Sequence, residues 1–415
     1  MKIESVLRAL VERKFTKAVW DRVTGLFNKA LSVLTVGIMS HFIPVEKNKI
    51  IFLTFRGSYD CNPKWICEEL VRRALPYQLI WVYRRKMLTG MENFPPSVKL
   101  VRLGTLEFFR ELCSARIIVD NGISTSSQFY KKKKGQYLIE TWHGSLGIKK
   151  FSKDAVNDKK WVKRAIVEGK VTDVCISNSD FEENEVYRDT YWEKTPIWSH
   201  GHARNDILCE GDTERVKAIR KKISKIYRIG AEKRICLYAP TFRDDGDMRP
   251  YRLDYEALAD ALEKRFGGSW VIFTRFHYRV YKLLANQIMI GSENVRVINA
   301  TDYPDIQELA VCTDVAITDY SSWICEYMLT RRPGFLFATD LEAYQKKDRP
   351  FFFPLTDLPF PVAQNQEQLL ENILTFDDKR FVQRCDGFLK DMGSVDDGHA
   401  AARTVDEIEK LIGGN

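Results

Sequence analysis

From Lys49 onward the chain alternates short apolar runs with longer segments that carry the 3.6-residue period of helices. In the first half the runs are "IIFLTF", "YQLIWVY", "ARIIVD", "YLIETW", "DVCISN" and "PIWS". Helix-type stretches such as "PKWICEELVRRA" and "LEFFRELC" lie between them, an alternation that predicts a parallel sheet built from crossover units. The series then repeats in kind with "RICLYAP", "WVIFTRFH", "VRVINA", "DVAITDY" and "PGFLFAT", separated by "LDYEALADALEKRFG" and "PDIQELAVC". Two Rossmann-like, doubly wound α/β domains follow. The polar stretch "CEGDTERVKAIRKKISKIYRIGAEK" is the junction. The expected division is 1–47 as an amphipathic helical segment, 48–210 and 211–395 as the two domains, and 396–415 as a final helix that packs on either one.

Before Lys49 the pattern differs. Leu7, Val11, Phe15, Ala18, Leu26, Ala30 and Leu34 share one helical face, with Arg8, Arg13, Lys14, Lys17, Arg22 and Lys29 largely elsewhere. The longest apolar stretch falls short of the roughly 20 residues of a bilayer span. A basic amphipathic element of this kind lies on an anionic membrane or docks on its own protein, and periodicity does not choose between them.

A length of 415 residues is too much for one ordinary core, which agrees with two domains. The 45% apolar share, with 12% aromatic residues, excludes a disordered chain. A formal charge of +8 fits nucleic acid, an anionic membrane or a phosphorylated substrate, and its sign alone does not select one. Nine cysteines, an odd number set mostly in apolar runs without paired zinc spacing, suggest reduced core thiols and a cytoplasmic setting.

In open parallel sheets, ligand-binding groups collect beyond the carboxyl ends of strands. His143 follows "YLIET", Arg204 and Asp206 follow "PIWSHG", Thr241 and Arg243 follow "RICLYAP", and Arg275 and His277 end "WVIFTRFH". Asp319, Ser321 and Ser322 follow "VAIT", where two serines open a helix and offer hydroxyls and backbone N–H groups to an anion, or simply cap the helix. The chain has no GxGxxG after its first strand, no GxxxxGK[ST] and no HExxH, so dinucleotide, P-loop and zincin chemistry are not supported. No metal is expected, and phosphate would be held by arginine, histidine, hydroxyls and backbone. His143, between Trp142 and Gly144, is a packed ring, a metal ligand or a proton acceptor; a neutral imidazole can take a proton from a hydroxyl at working pH. Gly144 would leave room for substrate.

The ordered motifs "ETWHGSLGIKK", "GHARND", "LYAPTFRDD", "RFHY", "ITDYSS" and "DLEAY", with "SYDCNPKWICEEL" before them and "DDGHAAARTVDEI" after, resemble the CDP-glycerol:poly(glycerophosphate) glycerophosphotransferases, the teichoic acid primases and polymerases. The resemblance implies a GT-B-like arrangement of two domains across a cleft. It implies a CDP-activated polyol donor, no separate cofactor, and peripheral attachment at the cytoplasmic face of the membrane. It places the general base on His143 and a second essential histidine, near the donor pyrophosphate, on His277. Arg243, Ser321 and Ser322 match the family's donor-side motifs; Arg275, Thr241 and Asp319 are added as donor-side candidates by position. Trp142, Gly144, Arg204 and Asp206 fall on the acceptor side or between the domains. Ser145 and Leu146 stand where the family has threonine and proline, and "GHARND" replaces a proline-containing turn, which leaves polyol and acceptor identity open. The expected reaction moves a polyol phosphate, glycerol phosphate first, onto a hydroxyl of a lipid-linked or polymeric glycan with release of CMP. Ribitol phosphate transfer and an ordinary nucleotide-sugar glycosyltransferase are the alternatives. A non-enzymatic polyanion-binding protein explains the charge but not the ordered strand-end residues, and nucleic acid is not an expected partner. Lys131 to Lys134 form a charge run that is either a solvated face or a contact for anionic lipid or polymer.

Overall fold

A computed structural model of the chain describes residues 37, 39–55, 57–84, 94–123, 130, 132–144, 146–150, 158–243, 247, 249–276, 296–347 and 350–414. Most of the N-terminal amphipathic segment, Lys131, Ser145 and His277 lie outside the described residues.

The first domain runs β1 (Glu46–Leu53), α1 (Cys61–Arg72), β2 (Gln78–Tyr83), β3 (Val98–Arg102), α2 (Leu106–Ser114), β4 (Ala115–Asp120), β5 (Tyr137–Glu140), α3 (Lys159–Gly169), β6 (Val174–Ser177), a π-helical stretch at Glu182–Arg188, and β7 (Ile197–Ser199). Its strands form one sheet in the order β3-β2-β1-β4-β5-β6-β7, with every pairing parallel. Parallel strands are covered on both faces, so the central ones are apolar throughout: Ile50, Ile51, Phe52, Ile117, Ile118 and Val119 are all fully buried. α1 covers one face with Trp65, Ile66 and Leu70, each such side chain contributing about 1.5–3 kcal/mol on burial. β3 was not among the expected strands.

The second domain contains α4 (Glu214–Tyr227), β8 (Lys233–Tyr238), α5 (Tyr255–Phe266), β9 (Ser269–Thr274), β10 (Val297–Asn299), α6 (Ile306–Cys312), β11 (Val315–Thr318), α7 (Trp323–Tyr327), β12 (Gly334–Phe337), α8 (Leu341–Lys347), the two-residue β13 (Val362–Ala363), α9 (Gln366–Leu374) and α10 (Asp378–Asp391). Its parallel sheet has the order β10-β9-β8-β11-β12-β13. In both sheets the chain winds outward one way and then returns to the other side of the first strand. The switch points therefore fall between β1 and β4 and between β8 and β11, where open α/β sheets hold their ligands.

The last helix, α11 (Ala400–Gly413), returns to the first domain and packs on α1. Asp206 receives the Ala400 and Ala401 N–H groups at 2.9 and 2.8 Å, and Arg73 reaches Asp406, Glu409 and the Ala402 carbonyl. Gly201 makes this approach possible: its φ is +97, and an added Cβ would stand 2.9 Å from Ala400 Cβ. No described helix is long and apolar enough to cross a membrane.

Candidate active site

His143 sits on the loop after β5, beside the first switch point, with its ring exposed. Its Nδ1 lies 2.6 Å from the Asn121 carbonyl oxygen at the end of β4. A carbonyl only accepts, so in the neutral ring Nδ1 carries the proton and Nε2 the lone pair, the tautomer a general base needs. Phe55, from the end of β1, stacks on the imidazole at 5.5 Å and 14°, and the Trp142 indole lies 4.2 Å away on its own loop. Asn121 is itself fixed, its Oδ1 accepting the Phe55 N–H at 2.8 Å. Three adjacent strand ends thus hold one ring.

The loop is strained and anchored. Cys61, Ile123 and Trp142 have φ values of 60, 60 and 51, in the left-handed region that non-glycine residues rarely adopt. Glu140 accepts the Trp142 N–H at 2.8 Å and the Ile123 N–H at 3.4 Å, satisfying two of the three strained residues from one buried carboxyl. Burial, and then the nearby Asp120, push the Glu140 carboxyl well above its ordinary pKa. Asn62 Nδ2 donates to the Thr141 and Trp142 carbonyls at 2.8 and 3.2 Å. A Cβ on Gly144 would meet Trp142 Nε1 at 3.3 Å, so this glycine allows close packing against the indole.

On the other side of the molecule, Thr241 and Arg243 follow β8, and Asp319, Ser321 and Ser322 follow β11. Asp319 accepts the Thr241 and Tyr320 N–H groups and pairs with Arg243 Nη1 at 2.8 Å. Ser322 is the N-cap of α7 but makes no side-chain capping bond, and no hydroxyl hydrogen bond of Ser321 or Ser322 is present among the described residues. Thr241 Oγ1 is buried and has no hydrogen-bond partner among the described residues.

Arg243, expected to help hold the donor pyrophosphate, is buried and engaged on all three nitrogens: a bidentate pair with Asp340 at 2.7 and 2.8 Å, the ion pair with Asp319, and a bond to the Thr241 carbonyl at 2.7 Å. Tyr320 and Tyr344 flank its guanidinium at 4.9 and 4.8 Å. Two carboxylates offset its charge, so it fixes the loops around the serines. Arg275 is likewise turned to backbone, donating to the carbonyls of Ala300, Tyr303 and Pro304.

Arg204 joins the two sides. It is buried; its Nη2 pairs with Glu326 on α7, its Nη1 donates to Cys61 Sγ at 3.1 Å, and its N–H donates to Asn62 Oδ1 at 3.0 Å. A continuous run of contacts therefore leads from the His143 loop through Asn62 and Arg204 to Glu326, on the helix that the two serines open. Asp206 lies off this path and caps α11.

Two further links cross between the domains. Lys64 Nζ on α1 reaches Asp305 and Glu308 on the far side at 2.6 and 2.5 Å. Residues 148–150, at the end of the His143 loop, pair with 350–352: Lys150 N–H donates to the Pro350 carbonyl at 2.8 Å and Phe352 N–H to the Ile148 carbonyl at 3.0 Å. Between these bonds, Lys149 Nζ donates to Tyr344 Oη at 3.2 Å. Asn62 and Glu140 were absent from the expected site, although the first lies in the "SYDCNPKWICEEL" stretch and the second in "ETWHG".

Two doubly wound parallel domains, each presenting chemistry at its switch point, define a GT-B-like fold. The chain belongs to the CDP-glycerol:poly(glycerophosphate) glycerophosphotransferase family, whose model matches residues 36–410. It is 28% identical over 384 residues to a teichoic acid poly(glycerol phosphate) polymerase of Staphylococcus epidermidis, covering 89% of this chain and 51% of that protein. The chain thus spans about half the length of that curated relative. A teichoic acid glycerol-phosphate transferase of Staphylococcus aureus is 27% identical over 381 residues, covering 88% of this chain and 94% of its own. Among solved structures, a variant of the wall teichoic acid polymerase TagF soaked with CDPG superposes with a TM-score of 0.78 at 25% identity, covering 96% of this chain and 98% of that one.

Proposed function

We propose that this protein transfers a polyol phosphate, glycerol phosphate first, from a CDP-activated donor to a hydroxyl of a lipid-linked or polymeric cell-surface glycan. The supporting observation is the hydrogen-bonded path from the His143 loop through Asn62 and Arg204 to Glu326 on the serine-opened helix, next to an imidazole whose Nδ1 faces the Asn121 carbonyl. His143 Nε2 removes the acceptor hydroxyl's proton. The resulting oxygen bonds to the β-phosphorus, the anhydride P–O bond breaks, and CMP leaves with its electron pair. Ser321 and Ser322 hydroxyls donate to the donor's phosphates, and Arg243, through Asp319 and Asp340, keeps those loops in place. His277 is assigned to the same pyrophosphate by family resemblance. The acceptor brings the enzyme to the cytoplasmic face of the membrane as a peripheral protein.

A panel of CDP-glycerol, CDP-ribitol and nucleotide sugars, offered with a lipid-linked disaccharide and followed by nucleotide release and product mass, tests this reading. CMP release and a glycerol phosphate increment are expected. Hydrogen bonds to a charged group contribute about 1.5–3 kcal/mol, so the Ser321→Ala, Ser322→Ala pair should weaken CDP-glycerol binding by roughly tenfold or more. UDP release from a nucleotide sugar, or unchanged donor affinity in the double variant, contradicts it.

A further inference from the structure

α3 offers a surface that the reaction above does not use. Its buried face, formed by Val162 and Ala165 with Trp161 and Ile166 beside them, packs in one cluster with Trp142, Tyr191 and Trp192. The Trp161 ring stands 6.4 Å from Trp142, the residue before His143. The opposite face is exposed, and its charged residues are Lys159, Lys160, Lys163, Arg164 and Lys170. At 100° per residue these fall on one continuous arc about 16 Å long, 11 residues at about 1.5 Å each. The one apolar side chain among them is Val167, at 57% exposure. The helix's only acid, Glu168, is fully buried on the other face.

This face carries more cation than acid. On α4, Arg215, Lys217, Arg220 and Lys222 each face a carboxylate. Around α3 the acid that acts on the exposed cations is the N-cap Asp158, which interacts with Arg164 and Lys160 and leaves Lys159, Lys163 and Lys170 in excess. A row of cations in excess of acid raises the local concentration of a linear anion. A membrane-surface helix buries an apolar face in lipid, whereas the apolar face of α3 is already covered by Trp142 and Trp192.

We propose that the exposed face of α3 is the docking surface for the anionic phosphodiester chain of the acceptor, guiding its terminal hydroxyl toward His143. This rests on the transfer reaction proposed above and names the part of the acceptor the site recognises.

The test uses the full chain and a fluorescent soluble oligo(glycerol phosphate), read by anisotropy without donor and by steady-state kinetics with CDP-glycerol. The variant is Lys159→Glu, Lys163→Glu, Arg164→Glu; the control is Lys221→Glu, Lys225→Glu, two exposed cations on α4. Of these only Lys159 lies in the first turn of α3, where acid suits the helix dipole; Lys163 and Arg164 are exposed in the second turn, and circular dichroism of the variant checks that it is folded. The expected result is an acceptor affinity and KM weakened by about tenfold or more at low salt, with the difference shrinking as salt rises. kcat and the KM for CDP-glycerol stay at the wild-type values, and the control binds as wild type does. Unchanged oligomer affinity, an equal loss in the control, or a loss seen only with phosphatidylglycerol vesicles overturns the proposal. Absence of turnover in the wild type would instead count against the transfer reaction, while the anisotropy arm still reports on the surface.

Discussion

Trp142 holds a left-handed backbone directly before His143, a conformation that costs a residue with a side chain about 1–3 kcal/mol. Glu140 offsets this by accepting its N–H, and does the same for Ile123 on the neighbouring loop. Removing that carboxyl leaves two buried donors without a partner and lets the imidazole drift from the Asn121 carbonyl. Because about 1 Å of misplacement can lower a rate by roughly 100-fold, Glu140→Ala should lower kcat by about that factor with donor affinity unchanged. Glu140→Gln, which keeps one acceptor oxygen, should recover part of it. Equal losses in kcat and in donor binding would mark Glu140 as merely structural. His143 and the two serines were nominated from sequence by strand-end position together with the family resemblance of their motifs. Glu140 and Asn62 were not, because what they do depends on backbone groups of other loops: Asn62 acts on carbonyls about 80 positions away. Arg243 was nominated by its motif as a donor-side residue, but nothing local to it announced its pairing with Asp340, which arrives from the segment after β12.

Among the elements, the return of α11 to the first domain creates a pH-dependent seam. His200 Nε2 meets Thr404 Oγ1 at 3.1 Å, and Arg403 donates to the His200 carbonyl. Burial, and then the Arg403 charge, push the His200 imidazole down to about 4. The unfolded chain therefore binds this proton more readily than the folded one. The stability His200 contributes is complete above its unfolded pKa of about 6.5 and is lost as pH falls from there through about 4. His202, two residues on, runs the other way. Burial lowers its pKa, but Glu182, 2.8 Å away, outweighs this and raises it, so its contribution is complete below the unfolded value and lost as pH rises through the folded one. Thermal unfolding between pH 7 and 4 should show a falling midpoint that His200→Gln flattens; the same slope in both proteins would contradict the assignment. Most elements were legible because fully buried parallel strands are apolar end to end. β3 was missed because Lys99 and Arg102 break its run where the strand lies at the sheet's edge, and β13 is only two residues long.

Across the whole molecule, the account depends on two domains held in register by buried polar contacts. Arg204 with Glu326 and Lys64 with Asp305 and Glu308 are not strong sources of net stability, since desolvation offsets much of the attraction in buried pairs. Their geometry does specify one relative placement. The pairing of 148–150 with 350–352 adds a direct tie from the base loop to the segment beside Tyr344 and the Arg243 cluster. Two-domain architecture was readable from the repeated alternation of runs and helices. The interface was not, because its members are scattered along the chain and each looks like an ordinary surface charge in isolation. The most direct test of the central claim is single-turnover transfer from CDP-glycerol by His143→Ala alongside its donor affinity by titration. The account predicts a rate lower by roughly 100- to 10,000-fold, the usual contribution of a general base, with donor affinity within about twofold of wild type. A rate close to wild type, or a loss that tracks weakened donor binding, would contradict it.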